Sequence, residues 1–391
     1  MWSRTNRASV STYVALLVTL VAWLGQGCRA EQSWDLWEKY AAKFIDPQGR
    51  VIDRAAQDRT TSEGQAYAMF FALVAGDRGR FDKLLKWTEE NLAGGDMTLR
   101  LPAWNWGKSP EGQWKVLDDH AASDADLWMT YTLVEAGRIW RDDRYAKLGT
   151  VMASRIAQSE VVLAPGLGTT IVPGPQGFHP EPTTYILNPS YLPPFILVRL
   201  AKENPQGPWS TVLDSMPQLL AQGSGGGFAM DWVLAGPGGV RPSLTPAQLA
   251  TGKNEGAPVG GYDAIRVYLW LGISDPGTPG LRELAAPLGG MTNYMRTNLA
   301  PPLLVDSAGK VLNADAPVGF SAALTPYLQM MGLKQQAKTQ MDRLAALKDP
   351  STGLYGRNGD YYDQNLAMFA TGWQDQRFRI DKEGRLKLKW K

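Results

Sequence analysis

Twelve stretches of this chain carry the three-and-four spacing of apolar residues that marks one face of a helix, with glycine- and proline-rich connections between them. They run over 34–44, 62–75, 80–92, 123–140, 142–159, 190–202, 208–221, 262–272, 280–298, 318–331, 333–347 and 360–371. In the second, Tyr67, Phe70, Phe71 and Val74 mark the apolar face. An even number of helices pairs naturally into six hairpins, so the expected class is all-α. No repeat at a fixed period is visible, which disfavours a regular solenoid. Three connections are long, 94–119, 165–189 and 223–261, and carry Trp104, Trp106, Trp114, Tyr185 and Trp232. Loops of that length are functional or disordered, and their aromatic content argues against disorder. At 379–391, polar residues alternate with Leu386, Leu388 and Trp390, which reads as a closing strand or as a basic tail.

The amino terminus has the grammar of an export signal. Arg4 and Arg7 precede an apolar run at 13–24, and Cys28-Arg29-Ala30 offers a cleavage site before Glu31. The expected organisation is a signal peptide at 1–30 and one catalytic domain at 31–391, periplasmic or secreted, with no membrane span in the mature chain. A lipid-anchor reading of Leu24 to Cys28 has one residue too many in its spacing. Cys28 is the only cysteine, so its removal would exclude disulfides, thiol catalysis and cysteine metal sites. With 40 basic and 38 acidic residues the net charge is +2, which gives no footprint for nucleic acid or an anionic membrane. The 15 tryptophans suit either core packing or stacking on sugar faces.

The only histidines are His120 and His179, and no metal-ligand spacing or nucleophile elbow accompanies them. The Gly223–Gly227 run lacks the Lys-Ser/Thr of a phosphate loop. Neither metal nor cofactor is expected. By elimination, chemistry falls to carboxylates, and glycoside hydrolysis is the reaction class that needs little else. Three segments offer them. In Thr60-Thr61-Ser62-Glu63-Gly64-Gln65, Glu63 closes a capping box on Thr60, or is set free if Ser62 and Gln65 form the box. Asp124 and Asp126 sit two apart at a helix start, so they face nearly opposite sides, and capping is the rival reading. Asp263 could cap its helix and pair with Arg266 three residues on.

Six ordered blocks carry a resemblance to a known family. They are Thr61-Ser62-Glu63-Gly64-Gln65, Leu101-Pro102-Ala103-Trp104 with Trp106-Gly107-Lys108, and Ala122-Ser123-Asp124-Ala125-Asp126. Asn188 to Pro194, Tyr262 to Tyr268 and Pro317 to Ala323 complete the set. Together they closely resemble glycoside hydrolase family 8, the cellulase D family, and within it the periplasmic endoglucanases of bacterial cellulose-synthesis operons. The resemblance implies an (α/α)6 barrel of six inner and six outer helices with a cleft across one end. It implies hydrolysis of a β-1,4-glucan, cellulose or cello-oligosaccharides, with inversion, and a functional link to the cellulose synthase complex. Glu63 matches the general acid, Asp263 the general base, and Asp124 the signature aspartate, labelled nucleophile or sugar-positioning group. Trp104, Trp106, Asn188, Tyr191, Tyr262 and Arg266 match substrate-binding positions. Thr130 and Thr132 depart from the family's smaller residues, which touches packing more than chemistry. Chitosan, xylan or mixed-linkage glucan remain alternative substrates. A non-catalytic export subunit is a rival that the three retained carboxylates oppose, and a lyase is disfavoured by the shortage of histidine. At a helix start the dipole favours anions, so Glu63 needs burial or like-charge neighbours to hold its proton.

Overall fold

The computed structural model describes residues 33–252 and 256–391; the expected export segment at 1–30, with Cys28, lies outside them. The helices are α1 (Asp35–Phe44), α2 (Ser62–Ala75), α3 (Arg78–Leu92), α4 (Ser123–Trp140), α5 (Asp143–Ser159), α6 (Pro194–Glu203) and α7 (Trp209–Gly223). They continue as α8 (Pro246–Ala250), α9 (Ala264–Ile273), α10 (Leu281–Ala285), α11 (Gly289–Thr297), α12 (Val318–Met330), α13 (Lys334–Ala346) and α14 (Tyr361–Gln374). Each expected helix is found, with two local differences. The stretch 280–298 is split into α10 and α11 by a 3-10 turn at Ala286–Leu288, where Pro287 has no N–H to continue the ladder. The stretch from 190 begins as a separate turn, Pro189–Tyr191, because Leu192 precedes a proline and leaves the helical region at φ −112° and ψ 72°; α6 then starts with Pro194 in its first turn.

Burial sorts the helices into two rings. In α2 the expected apolar face is buried, but so is the opposite one, Ala66, Met69, Ala72 and Leu73. The same holds for α4, α6, α9, α12 and α14, which form the inner ring of an (α/α)6 barrel. Outer helices bury a stripe, as α5 does with Tyr145, Gly149, Met152, Ala153 and Ile156. Helix α1 closes the ring, since Tyr40 Oη donates to Asn365 of α14 at 2.9 Å and its ring lies 5.9 Å from Phe71 of α2. Helices α4 and α5 cross where Gly137 meets Ala146; a Cβ there would lie 2.7 Å from Ala146. The barrel interior is filled by rings: Trp128 lies 4.9 Å from Phe369, 5.0 Å from Trp270 and 5.1 Å from Phe70. Such pairs contribute about 0.5–1.5 kcal/mol each beyond their buried area. Tryptophan therefore serves mainly the core, with Trp37, Trp128, Trp209 and Trp270 fully buried. Thr130 and Thr132 are buried with hydroxyls that have no protein partner, which places their departure in packing.

Connections from inner to outer helices are short, as at 76–77 and 141–142, whereas those from outer to inner helices are long. All the long ones therefore gather at the end where the inner helices begin. They are not plain loops. Strands β1 (Thr60–Thr61), β2 (Asn105–Lys108) and β3 (Trp114–Asp118) form one antiparallel sheet, and β4 (Val161–Ala164) with β5 (Gly168–Ile171) a hairpin. Strands β6 (Tyr185–Leu187), β7 (Val233–Gly236) and β8 (Gly239–Pro242) form another sheet, as do β9 (Val259–Gly260), β10 (Leu304–Asp306) and β11 (Val311–Asn313). At the opposite end β12 (Phe378–Ile380) pairs with β13 (Leu386–Leu388), so the carboxyl-terminal alternation is a closing hairpin. Trp390 ties it down by donating to the Val74 carbonyl at 3.0 Å.

Candidate active site

Three carboxylates meet one arginine on the floor between the long connections. Glu63 projects from the first turn of α2. Neither expected capping box forms there: Thr61 caps the helix, its Oγ1 accepting from Gly64 N at 3.1 Å. Gln65 turns inward to the backbone of Val51, Gly49 and Leu84. Glu63 is thus free to accept from Arg266 Nη1. A Cβ at residue 64 would lie 2.1 Å from the Tyr361 hydroxyl, so any larger residue there would have to displace that buried ring.

The same Nη1 donates to Asp124 Oδ2 at 3.1 Å and to the Tyr67 hydroxyl at 3.2 Å, while Nη2 donates to Asp263 Oδ1 at 2.6 Å. The expected Asp263–Arg266 pair is therefore present, within a larger assembly. Arg266 is itself buried. Asp124 and Asp126 separate as expected. Asp124 faces the arginine and accepts from Ala125 N, whereas Asp126 is enclosed beside Glu160, and burial pushes both acids of that inner pair well above the usual range.

One cation among three anions leaves a surplus of negative charge. Burial pushes Glu63 up to about 7; Arg266 opposes this, and Asp124 and Asp263 add to it. Burial also raises Asp124, against the pull of Arg266 and the Ala125 amide. These are the agents that a proton-holding Glu63 was expected to need.

The remaining expected residues surround this floor unevenly. The Arg266 guanidinium lies 5.5 Å from the Tyr191 ring centroid, and Trp232 lies 6.4 Å from Tyr191. Asn188 caps the turn before Tyr191, accepting from Ser190 N and Oγ at 3.1 and 2.7 Å, and its buried Nδ2 has no protein partner. Tyr262 is 52% exposed beside Phe320 and Tyr362. Trp104 immediately precedes β2, and Asp118 faces its side chain. Burial pushes Asp118 up, but hydrogen bonds from Trp104 and His120 outweigh it and hold the carboxyl below its usual range. Trp106 stands in a different setting, stacked 5.2 Å from Trp114 with the Arg50 guanidinium 4.4 Å from its ring.

Sequence reasoning missed Asp231, Asp118 and Tyr67. Asp231 Oδ1 accepts from the backbone N–H groups of Gly261, Asp263 and Ala264 at 2.8, 3.1 and 2.7 Å. Burial and repulsion from Asp263 push it up to about 7 against those three donations. The only signal in the sequence was its place next to Trp232 in a long aromatic-bearing connection. Tyr67 looked like an ordinary core residue of its helix, and only tertiary packing shows its hydroxyl at Arg266. Asp118, Asp119 and His120 gather potential ligand atoms within 4.8 Å of one another. However, His120 Nδ1 and Nε2 already face Asp118 and Gln176, at 2.6 and 2.9 Å, so the group reads as a brace for Trp104.

Comparison with known proteins agrees with this geometry. The model of glycosyl hydrolases family 8 matches residues 10–376. An endoglucanase of Salmonella typhi is 41% identical over 379 residues, covering 97% of this chain and 96% of that protein. An endoglucanase of Xanthomonas axonopodis pv. citri is 40% identical over 359 residues, covering 92% and 90%. Among solved structures, an endo-1,4-D-glucanase from Vibrio fischeri ES114 superposes with a TM-score of 0.79 at 34% identity, covering 92% of this chain and 99% of that one.

Proposed function

The chain belongs to family 8 of the glycosyl hydrolases, and from that premise we propose that it is an endo-β-1,4-glucanase that cleaves cellulose with inversion of configuration. The observation that carries this reading is the single guanidinium of Arg266 shared by Glu63, Asp124 and Asp263, with Glu63 held up at about 7. At mildly acidic pH Glu63 keeps a proton to give to the glycosidic oxygen as the bond to C1 breaks. Asp263 takes a proton from a water whose oxygen bonds C1 from the opposite face, so the new hydroxyl is α. Inversion requires the two carboxyls about 6.5–9.5 Å apart. Their attachment to different amino groups of one guanidinium is compatible with that spacing. Asp124, deeper and more enclosed, holds the sugar at the cleavage point.

Tyr191, Trp104 and the exposed Tyr262 supply aromatic faces for sugar rings, and the free Nδ2 of Asn188 supplies a donor for a hydroxyl. Trp106, stacked on the 45% exposed Trp114, would offer a sugar face outside the carboxylate cluster. All of this works without a cofactor. The names of the relatives support glucan as substrate, and the amino-terminal pattern supports export to the periplasm, with 31–391 as one catalytic domain. Among the described residues no helix is long and apolar enough to cross a membrane. A place beside a cellulose synthase, acting on emerging chains, follows from the resemblance to operon-encoded relatives.

Viscosity loss and reducing-end release on carboxymethyl-cellulose test the activity. Wild type should thin the solution quickly, and folded Glu63→Gln should not. Proton NMR of the first products should show the α-anomer; an initial β-anomer would overturn inversion.

A further inference from the structure

An aspartate at a helix start normally spends its carboxylate on the helix's own amide groups. Asp263 does not. It occupies the cap position of α9 with φ −80° and ψ −49° and makes no capping bond. The amides that open the helix are shared out elsewhere: Asp231 Oδ1, thirty-two positions away, receives Gly261 N, Asp263 N and Ala264 N together, while Ile265 N and Arg266 N donate to the Gly261 and Asp263 carbonyls at 3.1 and 3.0 Å. Asp231 is in turn held by its own backbone, its N–H donating to Val259 at the start of β9 at 2.9 Å. Its neighbour Trp232 stacks on Phe178 and reaches Tyr191.

We infer that Asp231 is a positioning residue that caps α9 from outside and so releases the Asp263 carboxylate to the cleft. The inference rests on the reading of Asp263 as the base and adds what keeps that base available. A carboxyl oxygen suits the task because one atom can accept three converging N–H groups, with the acid protonated or ionised. Without Asp231 those amides would be left without an acceptor in a partly buried turn, which favours any carboxyl that can reach them. The nearest replacement acceptor is Asp263 itself. It would rotate back onto its own helix and leave Arg266 and the cleft. The structural defect would then be repaired at the expense of the chemistry, a pattern that a merely structural residue does not produce.

The test compares Asp231→Ala, Asp231→Asn and Asp263→Asn in the full-length protein, reading kcat, KM and Tm on a soluble cello-oligosaccharide. Asp231→Ala should lose about 10²-fold in kcat, as expected for a displaced catalytic group, with KM within about threefold and Tm little changed. Asp231→Asn keeps a neutral oxygen in the same place and should recover at least about tenfold of that loss. A crystal structure of Asp231→Ala should show Asp263 accepting from Ala264 N or a neighbouring amide. An Asp231→Ala enzyme with unchanged kcat would overturn the inference. So would one whose kcat and Tm fall together without recovery in Asp231→Asn. If Asp231→Asn does not fold, Asp231→Ser supplies the neutral acceptor and is read in the same way. An active Asp263→Asn would overturn both this inference and the assignment of the base. An inactive Asp263→Asn with a fully active Asp231→Ala would overturn this inference alone.

Discussion

The two ends of the barrel each bury an acid–arginine cluster, and they balance charge in opposite ways. At the closed end Glu135 of α4 accepts from Arg199 Nε at 2.6 Å, from Arg138, and from the backbone N–H of Leu386 at 2.8 Å. Arg138 also donates to the Leu386 carbonyl at 2.6 Å, so two cations and an amide surround one buried carboxylate and clamp the closing hairpin. At the cleft end one cation serves three carboxylates. The first arrangement satisfies every partner and is built for holding the chain together. In the second, burial raises Glu63, Arg266 opposes the rise, and Asp124 and Asp263 add to it, which keeps a proton within reach. Residue types are nearly the same at both ends, so the stoichiometry of the cluster separates a clamp from a reaction centre.

That contrast can be broken or sharpened by experiment. The largest effect expected is at the cleft: Asp263→Asn should lower kcat by about 10²–10⁴-fold while leaving urea unfolding close to wild type. At the closed end Glu135→Ala should do the reverse. It removes the buried partner of Arg199 Nε, leaving that guanidinium only the half-exposed Glu203 on Nη1, costs about 3 kcal/mol in urea unfolding, and leaves the shape of the pH–rate profile unchanged. A Glu135→Ala protein of normal stability would remove the clamp from the comparison.

A subtler effect follows from the sign of the Glu63 shift. A carboxyl raised from 4.5 to about 7 favours the fold when protonated, and that stabilisation is lost as pH rises through 7. Glu63→Gln, neutral throughout, should therefore be more stable than wild type at pH 8, on the order of 2 kcal/mol, with the advantage fading at pH 5. Equal differences in Tm at the two pH values would contradict it. Wild-type activity should fall as pH rises past about 7, where Glu63 gives up its proton.

The smallest effects form a pair. Thr61→Ala removes the cap of α2, and Trp390→Phe removes the indole bond to Val74; each should cost about 1 kcal/mol. Only Thr61→Ala should also lower kcat, since Glu63 rides on the turn that Thr61 holds.

Much of the fold was legible without coordinates. Helical periodicity and glycine or proline breaks located all twelve barrel helices, and failed locally where Pro287 and the Pro193-Pro194 pair interrupted a pattern that otherwise looked continuous. Periodicity under-read the inner helices, because a residue such as Ala68 or Met69 is buried by neighbours far along the chain. The strands in the long connections were invisible for a related reason, since segments as short as Thr60–Thr61 become strands only when β2 arrives to pair with them.

The site divides along the same line. Local relations in the sequence supplied Glu63, Asp124, Asp263 and Arg266 as candidates, carboxylates at helix starts and a partner one turn on, and the resemblance to family 8 supplied their roles. Only the tertiary structure decided which of them were free. Capping could have claimed Glu63 or Asp263; Thr61 caps the first helix, and at the second the opening amides go to Asp231, from a separate connection, and to the Gly261 and Asp263 carbonyls. Whether a carboxylate caps a helix or faces a substrate depends on competition for its hydrogen bonds, and the competitors are set by residues that meet only when the ring closes.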